Sequence, residues 1–230
     1  MSASLADALH EGLSALGLSL DAGQQTALLA YLDWLARWNR VYNLTAVRDP
    51  REMLTHHLLD SLAVVAPLRR QLAAMAPSQG GARLLDVGSG GGLPGVVLAI
   101  ACPDVRVSCV DTVAKKALFV QQVAAALRLP NVRGVHARVE RLTETFDVVT
   151  SRAFASLADF VRWSGAALAP QGVWMAMKGK VPHEEMAALP PGVSVFHVEP
   201  LTVPGLEAQR CIVWMRKAAH AVADAGGEST

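Results

Sequence analysis

Two periodicities divide the chain. From Leu5 to about Ala76 apolar residues recur every three or four positions, as in "QQTALLAYLDWLARWNRVYN", where Leu28, Tyr31, Leu35 and Trp38 fall on one stripe with polar residues between them. This predicts amphipathic helices with an apolar face to bury. After "APSQGGA" (76–82), whose Pro, Ser and Gly mark a connector, short β-rich runs take over: "RLLDVG" (83–88), "VRVSCVD" (105–111), "VRGVHAR" (132–138), "FDVVTSRA" (146–153) and "GVWMAMKG" (172–179). Helical segments near 94–102, 113–128 and 156–168 separate them. Strands and helices alternating at this spacing predict an α/β fold, a parallel sheet with helices on both faces. The last two runs, "GVSVFHVEPL" and "QRCIVWMRK", are joined through "TVPGLEA" with no helix, which predicts an antiparallel pair at the sheet edge. The expected organisation is a helical extension packed on the core (1–76), a connector (77–82), a core (83–217) and a disordered tail (218–230).

The chemistry concentrates in "LLDVGSGGGLPGVVLAIA", residues 84–101. Glycine carries an entropic penalty unless the backbone needs positive φ or something must approach it closely. Leu84 to Val87 reads as the first strand, Gly88 to Gly92 as the loop at its carboxyl end, and Pro94 as the start of a helix. Open α/β sheets bind ligands at that edge. Gly90 to Gly95 satisfies G-x-G-x-x-G, a widespread pattern that also admits a nicotinamide dinucleotide. Asp111 ends the next strand, where a carboxylate accepts ribose hydroxyls of either ligand. Asp86, in a D-x-G-x-G-x-G spacing, favours S-adenosylmethionine, because a carboxylate beside the loop suits an ammonium and a sulfonium and repels a pyrophosphate. The terminal antiparallel pair leans the same way. The plainer alternative makes both acids strand-end turn residues.

Composition narrows the class. At 230 residues, 52% hydrophobic and 18% charged, the chain suits one large α/β domain with a small extension. Cys102, Cys109 and Cys211 stand in apolar contexts without metal-binding spacing, so reduced, buried thiols are expected and no metal. The start lacks the basic-then-apolar pattern of a signal peptide, and the strongest apolar stretch, Val96 to Cys102, is too short for a membrane span. A soluble, cytoplasmic protein is expected. A net charge of +1 gives no global basic field, so any RNA partner must be held by local contacts.

The ordered segments "WNRVYNLTAV" (38–47), "HHLLDSL" (56–62), "LLDVGSGGGLPGVVLAI" (84–100), "VDTVAKKALFV" (110–120), "ARVERL" (137–142), "SRAFASL" (151–157) and "MKGK" (177–180) resemble the successive motifs of the small-subunit ribosomal RNA methyltransferase G family, also called glucose-inhibited division protein B, over roughly residues 30–217. The resemblance implies a class I methyltransferase (Rossmann-like) fold with an N-terminal helical cap, S-adenosylmethionine as cofactor, and methylation of a guanine N7 in small-subunit (16S) rRNA. Family members usually carry G-x-G-A-G-F-P-G; here Gly91 and Leu93 replace the alanine and phenylalanine. The cofactor-binding set is then Asp86, Gly88, Gly90, Gly92, Leu93, Asp111, Val139, Glu140 and Arg152, with Gly88 and Leu93 along the methionine and adenosine path, Val139 and Glu140 flanking the adenine, and Arg152 closing the site. On the residues alone, Glu140 also reads as a solvated helix-start acid and Arg152 as a salt-bridged arginine.

Methyl transfer to N7 is an in-line displacement onto an exposed lone pair, so no general base is required. Arg152 and Asn43 are expected to position rather than to exchange protons. Candidates for RNA contact are Arg40, Tyr42, Asn43, His56, Lys178 and Lys180, from their stacking, hydrogen-bonding or phosphate-contacting groups; Trp38 reads as core at its spacing. His56 with Asp60, and His57 with Ser61, lie four apart and share a helix face, which suits hydrogen-bond pairs or substrate contacts better than a metal. "SRAF" stands where amine methyltransferases carry N/D-P-P-Y. An NAD(P)-binding oxidoreductase and a non-catalytic nucleotide-binding module remain the alternative readings.

Overall fold

The computed structural model describes residues 4–42, 45–75 and 80–218. Helix α1 (Leu5–Ala15) starts at a capping box in which Ser4 and Asp7 satisfy each other's backbone N–H groups. Asp21 and Gln24 do the same at the start of α2 (Ala22–Tyr42), and the Gln24 amide also donates to the Ile100 carbonyl at 2.8 Å. Asp49 caps α3 (Pro50–Met53), which runs into a π-helical stretch (Leu54–Leu59) and α4 (Asp60–Leu62); α5 (Val65–Ala74) follows. The stripe of the sequence is real: Leu28, Tyr31 and Leu35 are buried, and Trp38 packs edge-on to Phe119, ring centroids 5.2 Å apart.

The remainder alternates: β1 (Arg83–Val87), α6 (Gly95–Ala101), β2 (Arg106–Asp111), α7 (Ala114–Ala126), β3 (Val132–His136), a 3₁₀ turn (Val139–Arg141), β4 (Phe146–Arg152), α8 (Leu157–Ser164), β5 (Leu168–Lys178), α9 (His183–Ala187), β6 (Val193–Leu201) and β7 (Arg210–Lys217). The seven-stranded sheet has the order β3-β2-β1-β4-β5-β7-β6. Strands β1 to β5 are parallel, and β7 runs antiparallel to both β5 and β6. The antiparallel pair is as expected, but β7 inserts beside β5 and leaves β6 at the edge. Two boundaries differ from the sequence reading. Helix α8 stops at Ser164, whose hydroxyl bridges the Phe160 carbonyl and the Trp174 indole N–H, so β5 begins where helix was expected. The short helix α9 was not anticipated.

Side chains alternate across the sheet. Leu84, Val107, Val148 and Met175 pack with Leu28, Tyr31, Leu35, Val96 and Phe119 in one continuous core, so the N-terminal helices cover the same face as α6 and α7. Leu85, Val110, Val149 and Trp174 face α8 through Leu157 and Phe160. The carboxyl ends of the parallel strands stay open between these layers. The connector expected at 77–82 falls in part on residues 76–79, and the expected tail almost wholly on 219–230, both outside the described residues.

Candidate active site

The loop after β1 is held from behind and below. Gly88 (φ 67°) donates to the Val110 carbonyl at 2.9 Å, and Gly90 (φ 57°) donates to Asp111 Oδ2 at 3.0 Å. Asp111 Oδ1 accepts the Val113 N–H at 2.9 Å, so one carboxylate braces both the loop and the start of α7. Lys116 Nζ stands 3.8 Å away. A Cβ at Gly88 would fall 2.5 Å from the Phe154 ring, whereas one at Gly90 would meet nothing within 4 Å among the described residues. Positive φ and open space together leave that backbone accessible to a ligand. Gly92 closes the turn by donating to the Ser89 carbonyl at 2.8 Å. At Gly91 the Tyr31 hydroxyl donates to the carbonyl at 2.7 Å, and a Cβ there would lie 2.7 Å from Leu35 Cδ1, the end of a side chain that would have to turn aside.

A cavity of about 390 Å3 opens in front of Gly88 and Asp111, with Val139 and Glu140 on one wall and Phe154 and Trp163 among its other lining residues. The two rings meet edge to face, 5.7 Å between centroids. Glu140 is half-exposed and lies 3.5 Å from Arg138. Beside this cavity lies a second, of about 370 Å3, lined by residues including His56, His57, Asp60, Arg152, Lys178 and Arg210. Ala153 (φ 54°) lines both.

The second cavity is organised by Asp60. Its Oδ2 accepts from Arg152 Nη1 at 3.0 Å and its Oδ1 from Arg210 Nε at 2.7 Å, while Arg152 Nη1 also donates to the His56 carbonyl at 2.9 Å. His57 Nε2 pairs with Thr45 Oγ1 at 2.8 Å, and its Nδ1 has no partner among the described residues. Burial, helped by the Arg152 charge, pushes the His57 pKa from 6.5 down to about 4, so the ring is neutral.

Of the residues singled out from the sequence, Gly88, Asp111, Val139 and Glu140 line the first cavity, and His56, Arg152 and Lys178 the second. Four expectations need correction. Arg152 was expected to close the cofactor site but lines the second cavity and not the first. Asp86 was expected to face the ligand but is 0% exposed, with Oδ2 accepting the Gly95 N–H at 2.8 Å and Oδ1 without a partner among the described residues; burial pushes its carboxyl from 3.8 up to about 7. Leu93 turns into the core at 6% exposure and does not line the cavity. The Lys178 ammonium is held by Glu185 at 2.8 Å, so it is not a free phosphate contact. Arg40, Tyr42 and Lys180 are exposed, with Lys115 Nζ 5.2 Å from the Tyr42 ring centre. Asn43 lies outside the described residues.

Sequence reasoning missed Phe154, Trp163, Ala153 and Arg210, and placed Asp60 only as a partner of His56. Arg210 had a signal: the first residue of an antiparallel strand sits at the same edge as the last residues of its parallel neighbours. A third cavity, of about 320 Å3, lined by residues including Met75, Asp104 and Asp147, lies at the amino ends of the strands and holds none of these motifs. Among the described residues no group of three or more His, Cys, Asp or Glu is arranged to hold a metal ion, and no helix is long and apolar enough to cross a membrane.

This strand order, with a glycine loop after β1 and an acid closing β2 beside a cavity, defines a class I methyltransferase, whose cofactor is S-adenosylmethionine. The likeness extends to TrmN from Thermus thermophilus (TM-score 0.52, 22% identity, covering 72% of this chain and 53% of that one) and to a SAM dependent methyltransferase from Aquifex aeolicus (TM-score 0.51, 15% identity, 73% and 98%). At those identities it is a likeness of fold. The chain belongs to the rRNA small subunit methyltransferase G (GidB) family, which matches residues 24–213. It is 67% identical over 219 residues to the ribosomal RNA small subunit methyltransferase G of Acidovorax ebreus (strain TPSY), covering 94% of this chain and 97% of that one. The corresponding protein of Polaromonas sp. (strain JS666 / ATCC BAA-500) is 66% identical over 220 residues, covering 95% and 97%. The first cavity fits the cofactor: apolar walls for a flat ring, a carboxylate at the strand end for hydroxyls, and loop backbone at Gly88, while Gly90 and Gly92 shape the loop without lining the cavity.

Proposed function

We propose that the protein methylates N7 of a guanine in small-subunit rRNA, with the small ribosomal subunit as its substrate and the cytoplasm as its location. The observation that carries this reading is the pair of cavities meeting at Ala153, one shaped for an adenosine and the other lined by Arg152 and Arg210. The names of the relatives supply the RNA. The cofactor supplies a methyl group bound to a sulfonium, already electrophilic. Asp111 keeps lone pairs for ribose hydroxyls after accepting from Gly90 and Val113. Val139 and the rings of Phe154 and Trp163 enclose the adenine, and Glu140 accepts from its rim. Gly88 admits the ligand against the loop backbone, which Gly90, Gly92 and, from behind, Asp86 hold in shape.

Arg152 belongs in this reading to the substrate side, where it shares Asp60 with Arg210. His57, neutral down to about pH 4, leaves the proton inventory of the site unchanged through the physiological range. Guanine N7 gives up no proton, so the chain's contribution is alignment and electrostatics, which can supply several kcal/mol of barrier reduction. The helices of residues 1–76 act as a cap whose α2 props the loop through Tyr31 and Leu35; residues 77–82 connect it to the core, 83–217. In this reading Arg40, Tyr42, His56 and Lys180 contact the RNA, and Asn43 is given the same role from the sequence alone.

Calorimetric titration with S-adenosylmethionine and with NADH, followed by labelled-methyl transfer to small subunits, tests this reading. Binding of the first ligand alone and label in RNA are expected. Binding of NADH instead would return the protein to the dinucleotide enzymes.

A further inference from the structure

We propose that the second cavity is a subsite for one phosphodiester of the RNA backbone, gripped by Arg152 and Arg210, and that Asp60 is the positioning residue that sets the two guanidinium groups. This rests on the reading of RNA as substrate. Arg152 ends β4 and Arg210 begins β7, strands that do not touch in the sheet because β5 lies between them. Asp60 from α4 joins them, with one carboxylate oxygen for each. Both arginine side chains remain partly exposed, at 21% and 25%, while the carboxylate between them is buried at 4%. The acid borders the cavity with one oxygen given to each arginine, and the cations stay partly exposed to it.

The donor count leaves room for a ligand. Arg152 commits Nη1 to Asp60 and the His56 carbonyl, and Arg210 commits Nε to Asp60 and one Nη1 hydrogen to the Gln209 carbonyl. Each guanidinium has five N–H groups, so among the described residues each keeps donors without a protein acceptor. Such planar forks match phosphate oxygens in pairs. Charge agrees: two guanidinium charges against one carboxylate leave +1, Lys178 is offset by Glu185, and His57 is neutral. One net positive charge from these groups, in a cavity whose remaining lining is Val47, His56, Ala153, Met177 and Gly179, suits a single phosphodiester. Its junction with the cofactor cavity at Ala153 puts that phosphate beside the nucleotide to be methylated.

The test uses the full chain and two probes. A short oligouridylate, titrated over a range of salt concentrations, reads phosphate contacts without base identity, and purified small subunits with labelled S-adenosylmethionine read transfer. Arg210→Gln removes a cation and should make the slope of log affinity against log salt shallower by about 0.7, the increment for one phosphate on a single strand. Asp60→Asn removes no cation, so the slope should not become shallower, yet transfer should fall by about tenfold or more because the guanidiniums lose their setting. A merely structural loss would lower binding and transfer together. Arg210→Lys should restore the slope but not transfer, since a point charge replaces the fork. Cofactor affinity by calorimetry reports folding, and should Asp60→Asn not fold, the two Arg210 variants decide. An unchanged slope in Arg210→Gln, or slopes moving the same way in Arg210→Gln and Asp60→Asn, overturns the subsite. Absence of transfer by the unsubstituted protein would instead overturn the rRNA reading, with the oligouridylate slopes still reporting on the clamp.

Discussion

Two buried side chains, Asp86 behind the loop and His57 in the wall of the second cavity, shift their titration in opposite senses. Asp86 keeps its proton up to about pH 7 in the folded chain and only to 3.8 when unfolded, so its stabilising contribution is complete below pH 4 and lost as pH rises to 7. His57 stays neutral down to about pH 4 against 6.5 unfolded, so its contribution is present above 6.5 and lost as pH falls to 4. The two oppose each other between pH 4 and 6.5. Asp86→Asn, which keeps an acceptor for the Gly95 N–H, should gain on the parent chain as pH rises from 4 to 7, by at most on the order of 4 kcal/mol in denaturant melts. A difference that does not grow with pH would mean that Asp86 is ionised in the fold. At Gly90 the question is the shape of the loop. Gly90→Val should fold with about 1–2 kcal/mol of backbone strain at its positive φ and should not bind S-adenosylmethionine by calorimetry; normal affinity in a folded variant would remove the loop from the site. The sequence shows an acid before the glycines, and its period-2 alternation also tells where it points: Asp86 shares a face with Leu84, towards α6, and not with Val87, which lines the cavity.

Between elements, Asp111 ties the loop to α7. Asp111→Ala should weaken the cofactor by about 1.5–3 kcal/mol, the scale of a charge-assisted hydrogen bond, and also speed amide exchange at Gly90 and Val113, whose acceptor is lost. Weakened binding with unchanged exchange would separate the ligand role from the brace. The contact between α2 and the loop gives a second test. Gly91→Ala brings a methyl against the end of Leu35 and should destabilise the chain by about 1 kcal/mol, the low end of overpacking because that side chain can turn aside, and adding Leu35→Val should recover part of that loss in thermal melts. Simple additivity of the two changes would contradict the packing at Gly91. Strand positions were legible because short β-rich runs end in Asp111, Arg152 and Lys178 and are separated by helical segments, the pattern of parallel strands buried on both faces. The π-helical stretch at Leu54–Leu59 and the five-residue α9 were not, since neither is long enough to impose a period. With α9 unseen, Glu185 and its capture of Lys178 were invisible too.

Across the whole molecule, the parallel sheet and its terminal antiparallel pair could be read from the order of strands and helices, and the motif order carried the family. The second cavity could not, because Asp60, Arg152 and Arg210 come from three distant parts of the chain and meet only when β7 inserts beside β5. With a net charge of +1 the protein gains little from nonspecific phosphate neutralisation, so discrimination must come from the shape of the RNA and from local contacts. Transfer to a short unstructured oligonucleotide containing guanine should therefore be far weaker than transfer to small subunits. The most direct measurement of the central claim is N7-sensitive strand cleavage of rRNA recovered from small subunits after reaction with labelled S-adenosylmethionine. The account predicts one labelled site that cleaves at a guanine; label in protein, or in RNA that resists cleavage, would contradict it.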